Sequence, residues 1–233
     1  MTAPRYWAVV PAAGVGKRMA SAIPKQYLPL AGRMVIDQTL DRLLNHPQIH
    51  ALYVALSEQD GWWSDSAFAA DPRVTRVTGG SERCHSVLNV LDALSAVAAE
   101  DDWVLVHDAA RPCLRVSDID QLINRVSSHS VGGLLGVPVR DTMKRTDSMA
   151  EVTKTVSREE LWHAFTPQMF RLGLLHSALK EALERGEVVT DEASAIELAG
   201  LQPLMVNGHT DNIKITHPED LALATFFLQQ QSS

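Results

Sequence analysis

The 233-residue chain carries 21 lysines and arginines against 28 aspartates and glutamates, a net charge of −7, with 45% hydrophobic and 21% charged residues. A chain of this length buries a substantial core, and its balance is that of an ordinary soluble globular protein. The acidic excess argues against sequence-independent nucleic-acid binding, which relies on basic surface to displace counterions, but leaves room for a local basic pocket that takes a phosphorylated small molecule.

The two cysteines, Cys84 and Cys113, lie far apart and show no zinc-ligand spacing, which excludes a disulfide framework from the reading and suggests a reducing compartment. Residues 1–7 lack the apolar stretch of a signal peptide, and no apolar run is long enough to span a bilayer. The expectation is a cytoplasmic protein with no membrane partner.

In chain order, a short apolar run at 7–10 reads as the first strand, followed by a glycine-containing loop and a helix at 35–44. Further runs at 51–56, 74–77, 103–106 and 133–139 read as strands, with a helical pattern at 87–97 between them. These strands are apolar on both faces, as parallel strands covered by helices must be. Residues 139–157 break the pattern: they alternate loosely around a polar Asp147-Ser148 turn and read as a hairpin with little core of its own. An isolated hairpin is marginal in water, so it needs something to pack against, and a second subunit is the natural candidate. Helices are expected at 172–183 and after Thr190, the latter stopped by Gly200, with strands at 203–206 and 212–216 and a last helix opened by the capping box Thr216-His217-Pro218-Glu219. The fold expected is α/β: a Rossmann-like, mostly parallel sheet with helices on both faces and a protruding β-hairpin arm, in one domain over 1–233.

The first strand ends in Pro11-Ala12-Ala13-Gly14-Val15-Gly16-Lys17-Arg18-Met19. Small residues let backbone approach a ligand, and successive N–H groups in such a loop cradle phosphate oxygens. The pattern is neither a P-loop nor a complete dinucleotide fingerprint: Met19 stands where a third glycine belongs, and Asp37 falls inside a helix. A tight strand–helix turn is as good a reading of the glycines alone. Pro24-Lys25-Gln26-Tyr27 changes the balance, because Arg18 and Lys25 bring two cations to one loop, where they can stabilise charge built up on a triphosphate under attack. Their bland reading is solvated surface.

With these segments the chain resembles the nucleotidyltransferases that activate sugars and sugar alcohols. The motifs His107-Asp108-Ala109-Ala110-Arg111-Pro112, Arg140-Asp141-Thr142-Met143-Lys144, Thr166-Pro167-Gln168, Thr190-Asp191-Glu192-Ala193 and Asp211-Asn212-Ile213-Lys214 narrow the resemblance to the 2-C-methyl-D-erythritol 4-phosphate cytidylyltransferase family, over nearly the whole chain. The resemblance implies transfer of CMP from CTP to that sugar-alcohol phosphate, with release of pyrophosphate, in the non-mevalonate route to isoprenoid precursors. It implies a divalent cation, normally Mg²⁺, and a homodimer whose arm completes the partner's site.

Carried over residue by residue, the resemblance assigns catalysis to Arg18, Lys25, Arg158 and Lys214. It assigns CTP binding to Pro11, Ala12, Ala13, Gly14, Gly16, Gly80, Ser81, Ser86, Asp108 and Ala109. Many relatives carry an acid where this chain has Ser81, a change that only a backbone contact survives. Asp108, at a strand end, is the expected Mg²⁺ ligand, with Asp211 a second candidate; the bland alternative for Asp108 is a salt bridge to Arg111. Asp108, Arg111, Arg140, Thr142 and Thr166 are expected to meet the acceptor, Thr142 and Arg140 from the partner subunit, because donor-rich and guanidinium groups suit a phosphomonoester. His107 and Cys84 lack the partners of a nucleophilic centre, and the acceptor's phosphate is itself a competent nucleophile. Competing readings are a ribitol 5-phosphate cytidylyltransferase, a non-catalytic nucleotide sensor and, disfavoured by the broken fingerprint, a nicotinamide-dependent oxidoreductase.

Overall fold

A computed structural model describes residues 3–14 and 23–231. Seven strands form one sheet in the order β11-β7-β10-β6-β1-β4-β5. In chain order, β1 (Tyr6–Pro11) lies third from one edge of it and is followed by a two-strand ribbon, β2 (Pro29–Leu30) and β3 (Arg33–Met34). Helix α1 (Val35–Leu44) leads to β4 (Ile49–Leu56), which pairs in parallel with β1 and with β5 (Val74–Thr78). Helix α2 (Arg83–Ser95) then crosses back, and β6 (Trp103–Val106) pairs with the other side of β1. The strand order therefore reverses at β1, and a crevice opens beyond the carboxyl ends of β1 and β6, where open α/β sheets bind ligands.

The second half extends the sheet past β6. Helix α3 (Val116–Val126) precedes β7 (Gly132–Pro138), and β10 (Trp162–Arg171) inserts between β6 and β7, antiparallel to both. Among the described residues β10 is the one strand of this sheet that runs against the rest. Helices α4 (Leu172–Glu184) and α5 (Glu192–Leu198) follow, then β11 (Leu204–Asn207) beside β7, and finally α6 (Asp220–Gln231).

Both sheet faces are covered because β1 alternates: Ala8 and Val10 join a core with Ile36 and Leu40 of α1 and Ile119 and Leu122 of α3. Trp7 and Val9 join the opposite core, with Val87 and Leu91 of α2, Leu175 of α4 and Ile196 of α5. The last helix packs elsewhere: Ala224 and Leu228 of α6 cover Leu30, Val35 and Ala110, which ties the ribbon to the loop after β6.

Residues 139–157 do contain a hairpin, β8 (Met143–Thr146) against β9 (Val152–Val156), in a separate two-stranded sheet. Asp147 closes it by accepting from Met149 N and Glu151 N. The hairpin is largely exposed, with Met149 in its turn 78% and Val152 in its second strand 61% accessible.

Three local expectations need correction. Residues 212–216 are not a strand: Ile213 N bonds back to Asp211 O, and Ile215 N alone reaches across to Ala110 O. The cap of α5 is Asp191, not Thr190; its carboxylate accepts from Ser194 N at 2.9 Å and Ser194 Oγ answers Asp191 N. At the start of α6, Asp220 rather than Glu219 gathers the free donors, accepting from Thr216 N, Thr216 Oγ1 and His217 N.

Candidate active site

The carboxyl ends of β1 and β6, the Gly79-Gly80 turn and the segment after Asn212 enclose a cleft of about 360 Å³, within the ~300–1,000 Å³ of small-molecule sites. One wall is Pro11 to Gly14, and the facing wall is Gly80, Ser81 and Ser86 at the start of α2. The two walls touch behind the cleft. A Cβ at Gly79 would lie 2.4 Å from Ala13 Cβ, so only glycine lets them pack. At Gly14 the reverse holds: a Cβ would meet nothing within 4 Å among the described residues. Neither residue has a positive φ, so these glycines serve space rather than backbone handedness.

Ser86 Oγ ties the second wall together, accepting from Gly80 N and donating to Glu82 O, both at 3.0 Å. Ser81 Oγ is engaged with His85 Nδ1 at 3.0 Å.

The segment Pro24-Lys25-Gln26-Tyr27 is held on both flanks of its lysine. Gln26 is buried and donates to Ala12 O at 2.8 Å and Gly14 O at 3.1 Å, fastening the glycine loop. Tyr27 is buried, stacks on Trp62 at 6.0 Å and donates to Asp60 at 2.7 Å. Burial, then this acidic partner, raise its phenol far above the ordinary range. Lys25 emerges between these anchors into the cleft, its Nζ donating to Ile215 O at 2.9 Å. Gly16 and Arg18 lie outside the described residues.

The floor is Asp108, just past β6, with Ala109 beside it. Lys214 Nζ meets Asp108 Oδ2 at 2.8 Å, Arg83 Nε meets Oδ1 at 3.0 Å, and Arg111 Nε lies 3.5 Å from Oδ2. Burial opposes ionisation of this carboxyl, but Arg83, Lys214 and Arg111 together outweigh it and hold it well below the usual carboxylate range. The salt bridge to Arg111 thus exists alongside two others. A cleft between two small-residue walls that also presents an ionised carboxylate and two ammonium groups offers a phosphorylated ligand close backbone approach and cationic partners.

A family model described as "IspD: 2-C-methyl-D-erythritol 4-phosphate cytidylyltransferase" matches residues 6–230. The chain belongs to this family. A relative of that name from Hahella chejuensis is 56% identical over 226 residues, spanning 97% of this chain and 94% of the relative. One from Vibrio vulnificus is 54% identical over 224 residues, spanning 96% and 94%. The crystal structure of the Francisella tularensis 2-C-methyl-D-erythritol 4-phosphate cytidylyltransferase matches with a TM-score of 0.84 at 36% identity, over 96% of this chain and 99% of that one.

Not every residue singled out by resemblance to the cytidylyltransferase family reaches the cleft. Arg111 is buried beneath Asp108, stacked over Phe165 at 4.9 Å and donating to Asn212 O at 2.7 Å. Thr166 is buried too. Both were expected to meet the acceptor; neither lines the cleft, and both bond within its floor. Asp211, the second metal candidate, lies outside the cleft lining: its Oδ2 accepts from Arg115 Nη2 at 2.6 Å and Nε at 2.9 Å and from Gln231 Nε2 at 3.0 Å, which joins the start of α3 to the end of α6. Arg140, Thr142 and Arg158 are exposed at the root of the hairpin, where Arg158 Nη1 donates to Arg140 O. Arg158 thus stands with Arg140 at the hairpin root, away from Lys214 of its own chain. No described contact brings any of the three to the cleft of its own chain.

His107 is not a nucleophile's base but a strut. Asp108 N donates to Thr166 Oγ1 at 3.1 Å, and Thr166 Oγ1 lies 2.9 Å from His107 Nδ1. His107 Nε2 faces Arg111 O at 3.0 Å. A carbonyl only accepts, so Nε2 carries the proton and Nδ1 accepts from the threonine. Burial pushes the ring's pKa from 6.5 down to about 4, keeping it neutral. The folded protein then binds fewer protons than the unfolded chain between these values, so stability present above pH 6.5 is lost as pH falls through about 4. We expect a loss of about 2 kcal/mol by pH 5 and about 3 kcal/mol below pH 4. Urea unfolding at pH 7.5 and pH 5 measures it: His107→Asn should show lower stability but a flatter profile, and an equally steep profile in that variant would remove His107 as the cause.

Sequence reasoning missed Gln26, Arg83 and Glu192. Gln26 stood in a quoted motif but its neighbour's charge drew the attention. Arg83 lines the cleft, and Glu192 lies behind it, accepting from Arg83 Nη1 at 2.6 Å and Nη2 at 2.9 Å. They are 109 residues apart, and nothing in the spacing of a single chain pairs them.

Proposed function

We propose that the chain transfers CMP from CTP to 2-C-methyl-D-erythritol 4-phosphate, forming 4-diphosphocytidyl-2-C-methyl-D-erythritol and pyrophosphate in the non-mevalonate pathway. The observation that carries this reading is the cleft itself: Lys25 and Lys214 are delivered to one side of two facing small-residue loops, above an ionised Asp108. Membership in the family supports it.

In this reading the base sits between Ala12-Ala13 and Gly80-Ser81, read by backbone groups whose positions Ser86 fixes. Pro11, Gly14 and Ala109 border the ribose and the first phosphates. Lys25, with Arg18, stabilises charge on the α-phosphate as the acceptor's phosphate oxygen attacks and pyrophosphate leaves opposite. The protein supplies position and charge rather than a covalent intermediate. Lys214 orients the attacking phosphate.

A divalent cation fits Asp108, which is ionised and borders the cleft; Mg²⁺ takes one or two carboxylates and completes its shell with phosphate oxygens and water. Bound there, Mg²⁺ would neutralise phosphate charge. Asp211, whose Oδ2 is held by Arg115 and Gln231, does not line the cleft.

The arm is read as a trans element of a homodimer, with Arg140, Thr142 and Arg158 serving the partner's acceptor site. Its exposed Met143, Met149 and Val152 supply the apolar contact. Mixing tests this. Lys25→Ala and Thr142→Ala proteins, each nearly inactive alone, should on subunit exchange regain about a quarter of wild-type activity, since half the dimers gain one intact site. No recovery after verified exchange would place Thr142 in its own subunit's site. The reaction itself is tested by CTP-dependent pyrophosphate release in the presence of the acceptor. No helix among the described residues is long and apolar enough to cross a membrane, and a cytoplasmic location is the reading we adopt.

A further inference from the structure

Arg83 occupies the first turn of α2, where the helix dipole disfavours a cation. It has nonetheless been placed there with each edge of its guanidinium used. Nη1 and Nη2 grip both oxygens of Glu192, which is 2% exposed, and Nε reaches Asp108 Oδ1. Burial alone would lower the pKa of Arg83; Glu192 and then Asp108 raise it. Glu192 is fixed in turn. It opens α5, whose cap Asp191 and third residue are bonded to each other, and Gln168 of β10 bonds both Asp191 Oδ2 at 2.9 Å and Ala193 N at 2.7 Å.

Through this one side chain, three parts of the cleft are joined: the base wall at the start of α2, the Asp108 floor, and β10, whose Thr166 holds Asp108 N. The arrangement also bears on Lys214. Asp108 offers one oxygen to Arg83 and the other to Lys214. Without Arg83 the carboxylate would be left to Lys214 and Arg111, and more of its charge would draw the ammonium away from an incoming phosphate.

We propose that Arg83, oriented by Glu192, is a positioning residue that shares Asp108 with Lys214 and so keeps Lys214 available to the acceptor's phosphate. The proposal rests on the cytidylyltransferase reading. Two variants test it, Glu192→Gln and Arg83→Lys. The first keeps the Arg83 charge but weakens its clamp; the second keeps a charge but loses the fork that spans two carboxylates.

The expected result in both is a fall in kcat/KM for 2-C-methyl-D-erythritol 4-phosphate of about 10- to 100-fold, the usual cost of removing an orienting partner behind a functional group. CTP affinity, titrated calorimetrically without acceptor, should change far less. A CTP affinity that falls in step with kcat/KM would make Arg83 a nucleotide ligand and overturn the positioning role. So would wild-type kinetics in variants that merely melt at lower temperature. If Glu192→Gln does not fold, Arg83→Lys alone decides. A wild-type protein that releases no pyrophosphate fails at the functional reading instead, before either variant is compared.

Discussion

Lys25→Ala should lower kcat by about 10²- to 10³-fold, equivalent to ~3–4 kcal/mol of barrier, the cost of deleting one preorganised charge-stabilising group. The structure explains why so much depends on one flexible side chain. Gln26 and Tyr27 are both buried and hydrogen-bonded, so the backbone of Lys25 is fixed, and Ile215 O at 2.9 Å holds its ammonium toward the cleft. No reorganisation is then needed when charge develops on the α-phosphate. The base wall is untouched by this substitution, so CTP affinity should fall much less than turnover. Single-turnover kinetics with a parallel CTP titration separates the two quantities. Unchanged turnover would remove Lys25 from the mechanism.

Asp108→Asn should affect both activity and stability. The replacement has nearly the same shape, so its effect is that of charge. Arg83 and Arg111, both substantially buried, and Lys214 lose their common counterion. Removing one partner of a buried ion pair costs about 3–5 kcal/mol, and the access of Arg83 and Lys214 to the cleft points to the lower end, about 3 kcal/mol. For a chain of this size that lowers Tm by roughly 6–12 °C. Turnover should fall on the order of 10²-fold, since both the cation ligand and the partner of Lys214 are lost. A melting curve and a turnover assay on one preparation test it, and an unchanged Tm would show that the three cations do not depend on this carboxylate. Because the folded carboxyl titrates well below the ordinary range, its contribution persists down to acid pH, and the loss of stability between pH 6.5 and 4 belongs to His107.

Much of the α/β layout could be read from the sequence because doubly covered strands leave continuous apolar runs and their crossover helices leave 3.6-residue patterns. The helix at 35–44 was expected at its observed bounds, Val35–Leu44. The strand β10 was not read, because Pro167 within 162–171 argues against a strand. The sheet accommodates it with a register shift between Ala164 and Gln168, and that irregularity carries Thr166 to Asp108 N. Helix α3 was not among the expected elements, although Ile119, Leu122, Ile123 and Val126 carry the spacing of one buried face.

At the site, the residues found by motif are those that the strand ends carry directly into the cleft: Ala12, Gly14, Lys25, Gly80 and Asp108. The layer behind them was hidden. His107, Thr166 and Arg111 form a buried chain of hydrogen bonds around Asp108, and nothing in the spacing of Thr166 or Arg111 announces these internal partners. The same holds for Asp211, a carboxylate near Lys214 in sequence whose Oδ2 meets Arg115 in space. Which polar group faces a ligand and which faces its neighbours is decided by long-range packing.

The most direct test of the account is pyrophosphate release from CTP and Mg²⁺ with 2-C-methyl-D-erythritol 4-phosphate or with ribitol 5-phosphate as acceptor, repeated with ATP, GTP and UTP. Release with CTP and the methylerythritol phosphate, and not with ribitol phosphate or the other nucleotides, is the predicted result. Release only with ribitol phosphate would contradict the acceptor assignment, and CTP binding without release to either acceptor would make the cleft a nucleotide sensor rather than an active site.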